Sequence, residues 1–404
     1  MQSRVNKETR YKELVTKVKN HLTNDIIPFW KGLRDDVYGG YYGFLSYDLM
    51  LNKEAEKGCI LNSRILWFFS NAYMTLKDES LLDEATHAYE FMKDHCIDKE
   101  NGGIFWSMNY DGTVLDSTKH TYNQAFAIYA LSAYYEASGD EGALLLAKSL
   151  YEIIETKCKD SIGYLEAANA KFEKVDNDKL SENGVMADRT MNTMLHVLEA
   201  YTEFYKVSKE SGAKKAIEEM LTLFADKIYN PELHRQEVFF DNSYKSILDL
   251  HSYGHDIETT WLVDKAVEVI DDADHTWEKK ITPITKDLAN NILTKVFDGH
   301  SLPNECEKGV VDEKRVWWVQ AETVVGFVNA YNKSGNTDEK YLDAAESCLD
   351  FILEHVVDKR SGSEWFWAVN KDGSPTEGLP IVEPWKCPYH NGRMCFEIIK
   401  RMER

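Results

Sequence analysis

A helical phrase that ends in a tyrosine recurs along the chain, and this repeat limits the possible folds more than any other feature. The interval is about 65 residues or a multiple of it, and it places further members near Ala266 and Glu397. Each interval has room for two helices and a loop, and six of them fill the 404 residues. The phrase ends, in order, at Tyr73, Tyr134, Tyr201 and Tyr331.

The segments inside one interval predict two helices followed by a hairpin. Residues 123–135 and 141–156 are amphipathic, and Gly139-Asp140 separates them. Aromatic stretches at 39–45, 102–112 and 364–373 resemble hairpins, the last two with an Asp-Gly turn. The pattern predicts an all-α chain, an (α/α)6 barrel of six helix hairpins with short β-hairpin loops, in one domain over residues 1–404. A linear helical solenoid is the alternative, and the varied loops disfavour it.

Charge and cysteine usage exclude several classes of partner. The 47 Lys and Arg against 68 Asp and Glu give a net charge of −21, which opposes binding to nucleic acid or an anionic membrane. The N-terminus is polar, and no stretch approaches the roughly 18 apolar residues of a membrane span. The seven cysteines form no CxxC pair, as is typical of a reduced compartment. We therefore expect a cytoplasmic protein, with a monomer favoured.

Two histidines stand beside aromatic and charged residues and are the strongest candidates for chemistry. They are His255, in the segment 252–258, and His390, in the segment 385–393. Histidine exchanges protons near neutral pH, so two of them on opposite faces of a pocket could remove a proton from a carbon and return it on the other side. Such a pair would suit an epimerase without a cofactor. A hydrogen-bonded histidine in the core is the alternative for each.

Glu258 is predicted to orient His255 through a hydrogen bond, as carboxylates do in many acid–base pairs. A charge on the surface of a helix is the alternative. His251, His255 and Glu258 could also share a helix face as metal ligands. There is no HExxH motif, however, and Gly254 interrupts the helical pattern, so we expect no metal.

Three more polar residues lie on predicted helices. Asn192 and His196 are four residues apart in the helix 191–205 and share a face, either towards a pocket that binds sugar hydroxyls or towards the core. Arg64 begins an otherwise apolar helix, where a buried guanidinium is costly unless it is paired or functional. Its planar donors would suit the oxygen of a developing enediolate.

Tryptophans cluster in the last third of the chain, notably Trp318, Trp367 and Trp385. Aromatic faces in a polar groove favour stacking on sugar rings, although most aromatic residues belong to the core. The sequence has no GxGxxG, Walker A or GxSxG motif, so nicotinamide, nucleotide and serine-hydrolase functions have no support.

Together these segments resemble the N-acylglucosamine 2-epimerase superfamily, and within it the cellobiose 2-epimerase family most closely. The resemblance runs from Phe29-Trp30 to the last helix. It implies a cofactor-independent (α/α)6-barrel enzyme that acts on the reducing-end glucose of cellobiose or a related β-1,4 disaccharide. The most specific matching segments are 62–67, 122–126, 192–196, 254–258, 317–322 and 385–391.

The resemblance also implies a role for each candidate residue. One of His255 and His390 removes the C2 proton of the opened sugar, a cis-enediolate forms, and the other histidine reprotonates C2 from the opposite face. Arg64 steadies the enediolate oxygen, and His196 assists ring opening or binds nearby hydroxyls. The polar wall of the pocket comes from Tyr122, Asn192 and Glu258, and the stacking platforms from Trp318 and Trp385. No phosphate-binding motif is present, so we expect no nucleotide activator.

Three rival functions stay open at this point. A mannose 2-epimerase or aldose–ketose isomerase would use the same apparatus on monosaccharides. An inverting glycoside hydrolase on the same barrel would need two separated carboxylates, for which Glu258, Asp188 and Glu322 are the candidates. A carbohydrate-binding barrel would keep the aromatic residues but tolerate loss of either histidine.

Overall fold

The computed structural model describes residues 2–177, 179, 184–270 and 274–402, and helices make up most of them. Wider π-helical turns extend several helices at Leu22–Ile26, Met92–Cys96, Phe224–Ile228, Ile292–Val296 and Ile352–Val356. In chain order the helices are α1 Gln2–His21, α2 Ile27–Lys31, α3 Cys59–Leu76, α4 Glu79–Phe91, α5 Thr121–Ser138, α6 Glu141–Lys157, α7 Met191–Ser208, α8 Ser211–Leu223, α9 Tyr253–Ile270, α10 Thr276–Asn291, α11 Trp317–Lys333, α12 Glu339–Phe351 and α13 Tyr389–Met402.

The helices form two concentric layers. In the inner layer α3, α5, α7, α9, α11 and α13 contact one another in turn, and α13 contacts α3, which closes the ring. In the outer layer α4, α6, α8, α10 and α12 each pack on the inner helix that precedes them. The predicted (α/α)6 barrel is therefore confirmed. One pair differs from a hairpin: α13 is the last described helix, so its outer partner is α1, from the other end of the chain.

The two layers differ in sequence because they differ in exposure. The first fourteen residues of α5, Thr121 to Tyr134, are all buried, including polar ones such as Asn123. Outer helix α8 buries one face only, from Ala213 to Leu221 at helical spacing. Gly139, with a φ of 74°, ends α5, and the Asp140 side chain accepts a hydrogen bond from the Ala143 amide at the start of α6.

Short antiparallel strands gather at the end of the barrel where the inner helices begin. Five inner helices, α3, α5, α7, α9 and α11, start directly after a strand in the described chain. The predicted hairpin around Asp111-Gly112 is confirmed, because β2 pairs with β3 across it. The strands are β1 Lys57–Gly58, β2 Ser107–Met108, β3 Val114–Asp116, β4 Lys119–His120, β5 Ala167–Ala168, β6 Arg189–Thr190, β7 Tyr229–Asn230, β8 Arg235–Gln236, β9 Phe239–Phe240, β10 Leu250–Ser252, β11 Glu305–Glu307, β12 Val310–Asp312, β13 Arg315–Val316 and β14 Ala368–Val369, in sheets ordered β1-β2-β3, β4-β5, β6-β9, β7-β8, β10-β11-β12 and β13-β14.

Buried ion pairs fix these strands to the outer layer. At four junctions, a basic residue just before an inner helix pairs with an aspartate in the loop after α2, α4, α6 or α10. The basic side chains are at most 1% exposed, and breaking a buried pair of this kind leaves an uncompensated charge. The pairs therefore set the positions from which the inner helices start. They are Lys57–Asp35 at 2.6 Å, Lys119–Asp98 at 2.9 Å, Arg189–Asp160 at 2.6 Å and Arg315–Asp298 at 2.6 Å.

No disulfide bond links the described residues. All seven cysteines are unpaired, and all except Cys306 are buried. Among the helices of the described ranges, none combines the length and the apolar character that crossing a bilayer requires.

Candidate active site

A cavity of about 590 Å³ opens where the inner helices begin, and every inner helix contributes to its wall. Loop residues complete it, among them Phe44, Glu56 and Trp367. The nine residues to which the resemblance assigns a role all line this one cavity, although they are spread over more than 300 positions. They are Arg64, Tyr122, Asn192, His196, His255, Glu258, Trp318, Trp385 and His390.

A positional rule explains how a repeated helix pair builds this wall. The cavity-lining side chains of the inner helices come mainly from the second and sixth residues of each helix, which share one face. In α7 these are Asn192 and His196, and in α5 the second residue is Tyr122. In α9 the sixth residue is Glu258, and in α3 it is Arg64. The six helix starts therefore converge on one volume.

Arg64 is a buried cation without a carboxylate partner in the described chain. Its Nη2 donates to the Tyr122 hydroxyl at 2.8 Å, and its Nη1 donates to the Trp385 carbonyl at 3.2 Å. Its guanidinium carbon lies 4.2 Å from the centre of the Phe126 ring and 4.7 Å from that of Tyr389. Aromatic faces attract a cation without neutralising it. The charge of Arg64 is therefore available to an anion in the cavity.

His196 is held by a carboxylate on its own helix. Its Nδ1 lies 2.8 Å from Oε2 of Glu199, and its ring meets that of Tyr122 edge-on at 5.1 Å between centres. Burial lowers the pKa of His196, against the opposing effect of Glu199. The side chain is therefore neutral near pH 7.

His255 lies against the ring of Trp318, with 4.8 Å between ring centres. Burial, with a smaller contribution from His196, lowers the pKa of His255 to about 3. Its Nδ1 lies 2.7 Å from the Ser252 hydroxyl. The expected hydrogen bond from Glu258 is thus wrong: Ser252, at the end of the preceding strand, takes that place, and Glu258 is bound elsewhere.

His390 contacts the same tryptophan from a different helix, at 5.5 Å between ring centres. Its Nδ1 lies 2.8 Å from Oε1 of Glu322. Burial, together with the charges of Arg393 and Arg64, holds the pKa of His390 well below its usual value. In the described structure neither His255 nor His390 has a hydrogen-bond partner at Nε2.

Three buried glutamates surround one arginine behind the histidines. Arg393 donates from Nη1 to Glu199 at 2.5 Å and from Nη2 to Glu322 at 2.7 Å, and it also binds Glu258. Burial disfavours the charged form of Glu199, but Arg393 and His196 hold the pKa of Glu199 well below its usual range. Burial and the nearby Glu322 raise the pKa of Glu258 to about 8. Burial also raises the pKa of Glu322, although Arg393 and the Trp261 indole favour its charged form. Glu258, with the pKa of about 8, is therefore the carboxyl that holds a proton at neutral pH.

Sequence reasoning missed the structural importance of this cluster. Arg393 and Glu199 were not singled out, and Glu322 was considered only as a hydrolase carboxylate. Helical spacing could have found two of them, because Glu199 follows His196 by three residues and Arg393 follows His390 by three.

The metal and hydrolase alternatives find little support in this geometry. His251 bonds Asp256 at 2.7 Å and does not line the cavity, so the suspected ligand set is not assembled. Ligand atoms of Glu258, Glu322 and His390 do lie within 4.8 Å of one another, but the guanidinium of Arg393 already binds both carboxylates. An inverting hydrolase needs carboxylates about 6.5–9.5 Å apart with a water between them.

The third hydrolase candidate, Asp188, is also engaged elsewhere. It pairs with Lys174 at 3.1 Å, is 37% exposed and does not line the cavity. No two of these three carboxylates are therefore placed as the acid and the base of an inverting hydrolase.

Comparison with known proteins identifies the relatives of the chain. A sequence model of the N-acylglucosamine 2-epimerase (GlcNAc 2-epimerase) family matches residues 39–390. A cellobiose 2-epimerase of Eubacterium cellulosolvens is 52% identical over 95% of this chain and 97% of its own. The structure of a cellobiose 2-epimerase from Bacillus thermoamylovorans B4167 superposes with a TM-score of 0.93 at 46% identity, covering 96% of this chain and 100% of the other.

A more distant structure shares the fold alone. A D-mannose isomerase superposes with a TM-score of 0.80 at 19% identity, covering 97% of each chain. The family match spans most of the barrel, and the relatives match this chain over nearly their whole length. The chain is an isomerase and belongs to the N-acylglucosamine 2-epimerase family.

Proposed function

We propose that the protein interconverts the glucose and mannose forms of the reducing-end sugar of cellobiose and related β-1,4 disaccharides. The chain would act as one catalytic unit without a cofactor, in the cytoplasm, where its unpaired cysteines would stay reduced. The relatives named cellobiose 2-epimerase support this substrate class. The cavity of about 590 Å³ is within the usual range for small-molecule sites.

The arrangement of His255 and His390 carries the proposal. Both contact Trp318, both line the cavity, and both are held at Nδ1 by a neighbouring residue. This leaves Nε2 of each histidine as the atom for proton transfer. Because burial keeps both rings neutral, each can accept a proton without first losing one.

In the proposed reaction the sugar ring opens and exposes an aldehyde at C1. One histidine removes the C2 proton through Nε2, and the C2–H electrons move into a C1–C2 double bond while the C1 carbonyl becomes an oxyanion. Arg64, the buried cation without a carboxylate partner in the described chain, stabilises that negative charge together with the Tyr122 hydroxyl. After rotation about the C2–C3 bond, the other histidine, which has taken a proton from solvent on Nε2, gives that proton to the opposite face of C2. The first histidine then releases its proton to solvent, and both rings are neutral again.

The remaining cavity residues bind the neutral sugar. Asn192 has a buried Oδ1 without a hydrogen-bond partner in the described structure, and a sugar hydroxyl could supply one. His196 would bind a hydroxyl or assist ring opening. Trp318 and Trp385 would stack on the two sugar rings.

The test is incubation of the chelator-treated protein with cellobiose in D2O, followed by NMR. We expect glucosyl-mannose with deuterium at C2. Free glucose would indicate hydrolysis, and turnover of mannose but not of cellobiose would indicate the monosaccharide enzyme. Binding of cellobiose without any product would indicate a carbohydrate-binding protein.

Single variants test the two-base part separately. His255→Ala and His390→Ala should each abolish epimerisation while leaving the far-UV circular dichroism unchanged. Near-normal turnover in either variant would rule out the two-base scheme.

A further inference from the structure

A single guanidinium is linked to two of the cavity histidines through two carboxylates. Arg393 Nη1 binds Oε1 of Glu199, whose other oxygen lies 2.8 Å from Nδ1 of His196. Arg393 Nη2 binds Oε1 of Glu322, the same oxygen that lies 2.8 Å from Nδ1 of His390. All five side chains are buried, and Arg393 itself does not line the cavity.

We propose that Arg393 is a positioning residue for the reaction: by keeping Glu199 and Glu322 ionised, it holds His196 and His390 as the tautomers that carry the proton on Nδ1. This inference rests on the proposed function and deepens it. In these tautomers the Nε2 lone pair of each ring faces the substrate. The catalytic role stays with the histidines, and Arg393 acts through them.

The chemistry of a buried carboxyl group explains why a cation is needed. Without a counter-charge, burial favours the protonated acid, as the raised pKa of Glu258 illustrates. A protonated Glu322 would donate its hydrogen bond to Nδ1 of His390. The ring proton would then be on Nε2, and His390 could not accept a proton from C2. Arg393 prevents this by stabilising the charged carboxylate.

The charge balance of the cluster supports this division of roles. Three glutamates contact one guanidinium, so Arg393 cannot neutralise all of them. Part of the remaining negative charge is removed by protonation of Glu258, which makes no hydrogen bond to a histidine. Arg393 favours the charged forms of the two glutamates that hold a histidine. The pKa of Glu199 is lowered, and at Glu322 Arg393 opposes burial, which raises the pKa of that carboxyl.

In the described structure no other arginine or lysine binds Glu199 or Glu322; their further donors, Tyr389 and Trp261, are neutral. Arg64, the other nearby cation, binds Tyr122 and the Trp385 carbonyl and contacts neither glutamate. The titratable and charged groups near His390 come from all the inner helices: Arg64, Tyr122, His196, Glu199, His255, Glu258, Glu322, Tyr389 and Arg393.

The test compares Arg393→Met with Arg401→Met. Arg401 lies two turns further along the same helix and pairs with Glu397 at 2.9 Å, away from the cavity, so its variant controls for loss of a paired, mostly buried arginine on α13. Protein labelled with ¹⁵N-histidine reports the tautomer of each ring, because a protonated and an unprotonated ring nitrogen have different ¹⁵N shifts. Assignment uses His196→Gln and His390→Gln.

In the wild type and in Arg401→Met, Nδ1 of both histidines should give the signal of a protonated nitrogen. In Arg393→Met at least one ring should change tautomer, and kcat should fall about 10²–10⁴-fold, as for other catalytic histidines in the wrong tautomer. KM should change less than about threefold, since Arg393 does not line the cavity. Unchanged tautomers, or equal losses in the Arg401→Met control, would overturn the inference.

The Arg393→Lys variant and the wild-type ¹⁵N spectrum distinguish failure to fold, failure of the tautomer role and failure of the proposed function. If Arg393→Met does not fold, Arg393→Lys replaces it; an ammonium binds the two carboxylates less well than a guanidinium, so retention of both tautomers with full kcat would contradict the role. The ¹⁵N spectrum does not depend on turnover. A wild-type protein with the expected tautomers but no activity on cellobiose would therefore refute the proposed function and leave the role of Arg393 standing.

Discussion

The acid side of the pH profile tests the electrostatics of the site most directly. Burial lowers the pKa of His255 to about 3, and the pKa values of His196 and His390 are also lowered. An ordinary histidine with a pKa near 6.5 would be only about 3% neutral at pH 5. A base with a pKa of about 3 is almost entirely neutral there. We therefore expect kcat/KM at pH 5 to stay above about half of its value at pH 7.

The assay is kcat/KM for cellobiose between pH 4 and pH 8, with the fold monitored by circular dichroism at each pH. The fold has to be monitored for a reason of stability. Below pH 6.5 the unfolded chain binds a proton at His255, and the folded chain does not. Through His255 alone, the free energy of unfolding should therefore fall by about 2 kcal/mol between pH 6.5 and pH 5. An acid limb with an apparent pKa between 6 and 7, in protein that is still folded, would refute the reasoning.

A variant identifies the cause of the shift. Trp318 packs on the His255 ring, so Trp318→Ala admits water and should raise the pKa of His255 towards its usual value. The acid limb should then move up in pH, whatever the absolute loss of activity. A limb that stays in place would mean that burial by Trp318 does not control His255.

Other predictions concern single residues. Glu258, with a pKa of about 8, loses its proton as the pH rises and places a negative charge beside a developing anion, so kcat/KM should fall above pH 8; Glu258→Gln should remove that alkaline limb. Arg64→Met should lower kcat about 10²–10³-fold, measured by NMR of the products, because the oxyanion loses its donors. Lys57→Met should cost about 3–5 kcal/mol in urea unfolding, because Asp35 is left buried and unpaired, whereas the exposed Lys53→Met should be nearly neutral.

The fold was predictable because its repeat has a structural cause. The recurring tyrosines lie near the ends of inner helices, where they contact the outer layer: Tyr134 stacks on Tyr89, and Tyr331 bonds Tyr11 at 2.6 Å. A tyrosine contact with the outer layer recurs in this way at four of the six inner helices, α3, α5, α7 and α11, so the residue recurs at the interval of the helix pairs or a multiple of it. The pairing of α1 with α13 leaves no such local signal, because it joins the two ends of the chain.

The candidate residues were predictable as a set, but their partners were not. Cavity residues at the helix starts can be recognised in the sequence because they are polar or aromatic residues in otherwise apolar helices. Arg64 and His196 are examples. The partner of a histidine depends on which helices adjoin in the ring. The carboxylate at His390 is Glu322, 68 positions away, whereas Glu258, the near neighbour of His255 in sequence, binds Arg393 instead.

Arg64 and Arg393, the two buried arginines at the active site, have different electrostatic roles. Arg393 is surrounded by three glutamates, so its charge is already compensated and serves the resting enzyme. Arg64 touches aromatic faces, a carbonyl and a hydroxyl, so its charge is uncompensated until an anion forms beside it. A neutral sugar gains little from that charge, but an enediolate gains a great deal, and a cation used this way accelerates the reaction more than it tightens substrate binding. Because of this asymmetry, Arg64→Met should lower kcat for cellobiose by a larger factor than it raises KM.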